Sequence, residues 1–399
     1  MSKVNMLKTL GFMLCIFGVQ LAHAGNVVAE NEATTLVIIK GPYLQNVKKD
    51  GITIMWETNV EASSRIDYGE TTDYGSKIIC AQSKKIHEII ISGLEEESVY
   101  HYRVSSEVKS ELTEGVLKVT SEDNVFKTAV REDTPFCFAV YGDSRSNVEC
   151  HARIVNAIIE KRPDFVLHVG DVVSGGSNYK DWGSDLFEPA RKLLKNTPVY
   201  IAMGNHEKNA QWFYDFVSYP EPENYYSFDY GNAHFIIIDS NKTAQGYVGT
   251  SDCHPGSTQY EWLKKDLKSS NSNWTFVFFH HPSYSSCPDY PGGSVGKMKF
   301  LSPLFEKYGV DIVFNGHIHN YERSYPLKND KVDMKKGVVY IVTGGGGAIL
   351  ESLKEKRSFF TAESAVTYHY CLVKIVKNYF QMMVYDIEGK LLDFLIINK

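Results

Sequence analysis

The chain has no stretch of about 20 consecutive apolar residues, so nothing in it reads as a conventional membrane-spanning helix. It has no surplus of positive charge either. Asp and Glu number 48 against 42 Lys and Arg, a formal net charge of −6. Without a global basic field, binding of nucleic acid or anionic lipid is not expected. Runs of Pro, Ser or Gln/Asn are missing, which argues against a long disordered region, and no fixed-period repeat marks a solenoid or propeller. What remains is ordinary globular composition, 43% hydrophobic and 23% charged. At 399 residues the chain is long for a single core, so two domains are expected.

The first two dozen residues stand apart. Lys3 and Lys8 precede an apolar run, 10–21, that closes on Ala22-His23-Ala24. A short apolar run with a basic start and small residues at its end is the pattern of a secretory signal rather than an anchor. Residues 1–24 are therefore expected to direct export, to a periplasm, the cell surface or the medium, leaving no membrane span. Cys15 would leave with them. Cys80, Cys137, Cys150, Cys253, Cys287 and Cys371 remain, an even number in an oxidising compartment. Six cysteines allow 15 full pairings. Cys253 and Cys287, both in polar segments rich in Pro and Gly, are the expected pair; Cys137 and Cys371 lie in apolar strands and read as core.

From 36 to 130, short β-type runs alternate with turns and show no helical period. Gly51-Ile52-Thr53-Ile54-Met55-Trp56-Glu57-Thr58 alternates around Trp56 as an inward anchor, and Tyr100 and Tyr102 open a later strand. This region resembles a fibronectin type III module. Beyond Arg131-Glu132-Asp133-Thr134-Pro135 the texture changes to apolar strands alternating with helices, an α/β domain over 135–399. Strands are expected at 136–141, 165–169, 199–203, 235–238, 274–279, 312–314 and 338–342. Helices are expected at 151–161, 180–195 and 258–267, with strands returning across 370–397.

Five of the strands end in residues able to hold a metal: Gly142-Asp143, Gly170-Asp171, Gly204-Asn205-His206-Glu207, His280-His281-Pro282 and Gly316-His317-Ile318-His319. The carboxyl ends of strands in an open α/β sheet converge on one crevice, so donors distant in sequence can meet there. Carboxylate and amide oxygens with imidazole nitrogens suit Zn, Mn or Fe without any thiolate. A glycine before the ligand is expected to let the backbone turn sharply. Singly each block is weak, since an Asp after Gly is more often a turn or helix cap. Five in order, each behind an apolar strand, make coincidence the poorer account.

These blocks resemble the calcineurin-like metallophosphoesterases, and Gly316-His317-Ile318-His319-Asn320-Tyr321-Glu322-Arg323 is similar to the purple acid phosphatase branch. A β-sandwich ahead of the catalytic domain fits that branch. The resemblance implies a four-layer α/β/β/α core with a two-metal centre between its sheets. Asp143, Asp171 and His319 would hold the first metal, and Asp171 would bridge to the second, held by Asn205, His280 and His317. His281 would stand beside the metal or substrate. His206 would bind phosphate or protonate a leaving group, with Glu207 orienting its ring.

Two departures stand out. The purple acid phosphatase pattern Gly-Asp-x-x-Tyr is here Gly170-Asp171-Val172-Val173-Ser174, so the colour-giving Tyr is missing, and Tyr179 is too far along to replace it. The other family option, Asp-x-His, is here Asp143-Ser144-Arg145. Arginine stays protonated and is no ligand, but its planar fork suits phosphate oxygens. Gly344-Gly345-Gly346-Gly347 lacks the Lys and Ser/Thr of a nucleotide cradle and reads as a turn near the metals.

The expected activity is phosphate-ester hydrolysis by a metal-bound hydroxide at two cations, acid-phosphatase-like and acting on monoesters, with Arg145, His206 and His281 assisting. A phosphodiesterase on the same centre, or a surface binding protein with structural metals, are the rival readings. Substrate choice is expected to rest on the loops 247–257 and 283–295.

Overall fold

The computed structural model describes residues 35–110, 115–246, 251–288 and 296–399. The expected signal and parts of the two substrate loops lie outside them. Six strands build the N-terminal region: β1 (Ile38–Lys48), β2 (Gly51–Gly69), β3 (Ser76–Ser92), β4 (Val99–Ser110), β5 (Gly115–Thr120) and β6 (Asn124–Lys127). The first half of β2 pairs with β1 and its last residues with β4, while β3 runs antiparallel along both halves. Register breaks on either side of Ala62 let β2 bend between the two pairings. Trp56 is fully buried, its ring stacked on His87 and its Nε1 donating to Ser106 Oγ at 3.0 Å. Tyr100 Oη accepts the Glu95 amide at 3.0 Å, a corner bond of the kind that β-sandwiches use.

The remaining strands are β7 (Phe136–Tyr141), β8 (Phe165–His168), β9 (Val199–Ile201), β10 (Tyr226–Tyr230), β11 (Ala233–Ile237), β12 (Trp274–Phe278) and β13 (Ile312–Asn315). After them come β14 (Tyr321–Ser324), β15 (Leu327–Lys328), β16 (Lys331–Val332), β17 (Val339–Thr343), β18 (Thr361–Ala365), β19 (His369–Val376), β20 (Tyr379–Asp386) and β21 (Leu391–Asn398). They form one sheet of order β21-β20-β19-β7-β8-β9, a second of order β10-β11-β12-β13-β17-β14-β18, and the separate hairpin β15–β16.

Alternation along the strands creates the layers. In the second sheet Phe235, Ile237, Phe276, Phe278, Ile312 and Phe314 belong to the core shared with the first sheet. Their neighbours Ile236, Val277 and Val313 join a different cluster with Leu263, Leu267, Leu304 and Phe305 of helices Thr258–Ser269 and Ser302–Tyr308. Phe138 of the first sheet meets Phe235 at 5.2 Å and Phe276 at 5.6 Å, both edge-on. Each such buried ring contributes about 1.5–3 kcal/mol by area alone. Helices Val148–Lys161 and Glu188–Leu194 pack on the first sheet's side, completing α/β/β/α.

Two expectations are corrected. The helix expected over 180–195 is broken into Tyr179–Asp181, a π-helical turn Trp182–Phe187, and Glu188–Leu194. The wide turn frees the Asp185 carbonyl to accept from His151 Nδ1 at 2.8 Å and aims the Asp185 carboxylate at the Ser174 amide, also 2.8 Å. The pairing of Cys253 with Cys287 is not formed, and the six described cysteines are all free thiols. Cys253 Sγ donates to Asp239 O in one apolar cluster while Cys287 Sγ donates to Ser352 O in another.

Candidate metal centre

Asp143 follows β7, Asp171 follows β8, Asn205 lies beyond β9, His280 and His281 follow β12, and His317 and His319 lie beyond β13. The sharp turns are made by the ligands themselves. Asp143 (φ 57°), Asp171 (φ 57°) and His317 (φ 70°) sit in the left-handed region, where a side chain is strained and packing must hold it. Of the glycines preceding a metal-type residue, only Gly170 has positive φ. The others supply space: a Cβ at Gly204 would lie 2.3 Å from Asp171 Oδ1, and one at Gly316 2.5 Å from Asp143 Oδ2. The expected sharp turn at the preceding glycine is found at Gly170, while Gly142, Gly204 and Gly316 serve by leaving space.

Asn205 Oδ1 lies 3.0 Å from His280 Nε2 and 3.0 Å from His317 Nδ1, and Asp171 Oδ1 is 3.3 Å from His280 Nε2. Donors that ligate one ion at about 2.0–2.2 Å stand about 3 Å apart, so this spacing fits a shared cation. On the other side His319 Nε2 is 3.5 Å from Asp143 Oδ1. Backbone carbonyls set the ring orientations: His280 Nδ1 donates to Val169 O at 2.8 Å and His319 Nδ1 to Ile349 O at 2.7 Å. Each bond leaves Nε2 turned inward as a ligand atom.

Buried carboxylates make the centre attractive to positive charge. Burial disfavours a charged His280, but Asp171 and Asp143 outweigh it and raise its pKa to about 9. Burial also opposes ionisation of Asp171, yet His280, His206 and Arg145 hold it well below the usual carboxylate range. His317, pushed down to about 3 by burial and by His280, is a neutral donor. Nε2 of His319 and Nε2 of His281 are buried without a hydrogen-bond partner. An orphaned buried polar atom costs about 1–3 kcal/mol, a penalty that coordination removes. The residues fit a metal.

His281 Nδ1 pairs with Ser240 Oγ at 2.8 Å, and its ring centroid is 4.5 Å from that of His317. Arg145 Nε donates to Asp171 Oδ2 at 3.3 Å. His206 Nδ1 donates to Ser174 O at 2.7 Å, which brings Nε2 to 3.9 Å from Asp171 Oδ2. Ser174 Oγ bonds Ser146 Oγ at 3.1 Å, and Tyr179 Oη donates away from the centre, to Glu57 of the sandwich.

Glu207 does not orient His206. Its buried carboxylate accepts the amides of Asp171, Val172 and Gly204 at 3.0, 2.9 and 2.5 Å, pinning the strained loop that carries Asp171. Burial and the neighbouring Asp171 raise its pKa to about 7. Sequence reading also missed Glu351, which accepts the His319 amide, and Glu322, whose carboxylate holds Ser286 N and Thr361 Oγ1. Arg323 and Tyr321 both donate to Asp393 of β21, so Tyr321-Glu322-Arg323 fastens the histidine loop rather than serving the centre. The four-glycine segment packs on the Asp143 turn, with Gly346 N donating to Gly142 O and Ala348 N to Asp143 O, as a turn beside the centre should.

A fold of two packed sheets with these donors defines a class. Residues 138–321 match the calcineurin-like phosphoesterase family. Purple acid phosphatase 18 of Arabidopsis thaliana is 29% identical over 326 residues, 76% of this chain and 67% of its own length. Acid phosphatase type 7 of Mus musculus is 26% identical over 397 residues, 86% of either chain. The solved structure of purple acid phosphatase PPD1 from yellow lupin (Lupinus luteus) seeds shares the fold at TM-score 0.77 and 19% identity, over 91% of this chain and 74% of that one. The chain therefore carries a calcineurin-like metallophosphoesterase domain. It is a metal-dependent phosphoesterase with purple acid phosphatases among its homologues.

Proposed function

We propose that the protein is an exported phosphomonoesterase working with two metal ions, Fe, Zn or Mn, in the roles the resemblance implies: Asp143, Asp171 and His319 at the first, and Asp171, Asn205, His280 and His317 at the second. The observation that carries this reading is the meeting of Asn205, His280, His317 and Asp171 from four separate strand ends, with Asn205 Oδ1 3.0 Å from both imidazoles and Asp171 Oδ1 3.3 Å from His280. Bound cations would supply charge neutralisation for the phosphate and a lowered pKa for water. The chain's own groups do the rest. Arg145 and His206 stand on the same side of Asp171, where a guanidinium fork and an imidazole can hold two phosphate oxygens or pass a proton from His206 Nε2 to a leaving alkoxide. Two such donors suit a dianionic monoester better than a diester, which carries one charge. His281 is proposed to stand beside the second metal rather than to touch substrate, because its ring is fully buried.

The test is phosphate release from an aryl phosphomonoester and an aryl phosphodiester, compared side by side after chelation and after readdition of each metal. Monoester turnover that disappears with the metal and returns with it supports the reading. Preference for the diester would move the assignment to phosphodiesterase, and no turnover with any metal would leave a binding protein. Export is tested by the N-terminal sequence of protein recovered outside the cytoplasm, expected to begin near Gly25.

A further inference from the structure

The two halves of the centre are not equivalent. The two oxygens of Asp171 have different partners: Oδ1 is turned to His280 Nε2 (3.3 Å) and accepts the His206 amide (2.9 Å), whereas Oδ2 is already paired with Arg145 Nε (3.3 Å). The Arg145 side chain is only 16% exposed, so this pairing is largely shielded from solvent. The Asn205 side holds two imidazoles and an amide oxygen within 3.0 Å contacts, with the unpartnered Nε2 of His281 nearby. The Asp143 side has one imidazole, His319, and one carboxylate of its own, Asp143, both of whose oxygens also accept the His317 amide at 3.1 and 2.9 Å. Ser174, which could add an oxygen there, is bonded to Ser146 instead.

From this asymmetry we infer that the centre binds its two ions unequally, a tight one at Asn205, His280 and His317 and a labile one at Asp143 and His319, with Arg145 as the residue that sets the difference. Arg145 follows Asp143 by two residues, so a cation bound beside Asp143 and Asp171 would share Asp171 with a guanidinium that cannot deprotonate and would meet like charge at short range. A cation on the Asn205 side meets an amide oxygen, two imidazole nitrogens and Oδ1 of the same carboxylate. The inference rests on the proposed metal-dependent reading and deepens it.

Calorimetric titration of the chelated full chain with Zn(II) and with Mn(II), together with elemental analysis after dialysis, tests it. Wild type is expected to retain about one ion per chain, with the second event at least about tenfold weaker, the lower end of the effect of groups around a metal. Asn205→Ala should remove the tight event and His319→Ala should leave it. Arg145→His, which substitutes an imidazole for the guanidinium, should strengthen the weak event at least about tenfold. A second readout does not need that variant: Ser174→Tyr loaded with Fe(III) should develop a visible phenolate-to-iron band as the weaker site gains an oxygen donor. Two ions of equal affinity in wild type, or a tight event lost with His319 rather than Asn205, would overturn the inequality while leaving hydrolysis standing. A chain that binds no ion and releases no phosphate would instead sink the functional reading beneath it.

Discussion

The two sheets of the catalytic domain bring different chemistry to the same crevice. The first sheet, through the turns after β7, β8 and β9, contributes oxygen donors: Asp143, Asp171 and Asn205. The second, through β12 and β13, contributes nitrogen donors: His280, His281, His317 and His319. Neither sheet alone carries a set able to hold an ion of mixed oxygen and nitrogen preference. The centre therefore depends on docking of the sheets, which the Phe138, Phe235 and Phe276 layer secures far from the reacting atoms. Packing and catalysis are joined at that interface.

The largest test of this division removes one donor from each sheet. Asp171→Asn and, separately, His280→Ala are each expected to lower turnover of an aryl phosphate by at least about a hundredfold, the scale of lost metal function. Initial rates at saturating metal measure this, and near-normal turnover in either variant would show that one sheet suffices. Next in size is the interface itself. Phe138→Ala should cost about 3–5 kcal/mol in denaturant unfolding, since the ring is enclosed between the sheets and leaves a cavity. A loss under about 1 kcal/mol would mean that the sheets repack without it.

A smaller effect is expected for the support beneath the oxygen side. Glu207→Ala leaves three amides of the strained Asp171 and Gly204 turns without their acceptor, and metal affinity by calorimetry should fall about tenfold to a hundredfold. The second sheet has its own edge support in His234, held between Asp229 and Asp266 at 2.7 and 2.8 Å. Burial lowers its pKa, but the two carboxylates outweigh that and raise it to about 9 from 6.5. A raised pKa stabilises the fold fully below about pH 6.5, and that contribution fades as pH rises through about 9. Asp229 is mostly exposed, so the effect is put at about 1–2 kcal/mol. Unfolding measured at pH 6 and pH 9.5 should show the loss in wild type and a smaller one in His234→Gln; equal losses would remove His234 from the account.

Most of the scaffold was legible because strands and amphipathic helices announce themselves locally. β7 was expected at the residues where it is found, and helix Thr258–Ser269 begins at the expected Thr258, behind a Ser257 hydroxyl that accepts the Tyr260 amide. Less legible were β14 and β18, since Tyr321-Glu322-Arg323-Ser324 shows no apolar alternation and is a strand only because β17 and β18 flank it. The break in the helix near Trp182 escaped for the same reason: the groups that its Asp185 meets, His151 and the Ser174 amide, lie on other segments. Glu207 was misread because it follows His206, whereas, Gly204 apart, its partners lie 34 to 36 residues back.

By itself, then, the order of residues determined which side chains could act as ligands, the strands that would carry them, and the absence of a tyrosine and a histidine at two family positions. Periodicity and residue type are local properties, readable without coordinates. Only the tertiary structure decided that Glu207 braces the Asp171 turn, that Arg145 occupies one oxygen of Asp171 while His280 faces the other, and that Cys253 and Cys287 stay apart. Those outcomes depend on distances of a few ångströms between segments far apart along the chain, and such distances are set by the order of strands within each sheet and by how the two sheets pack.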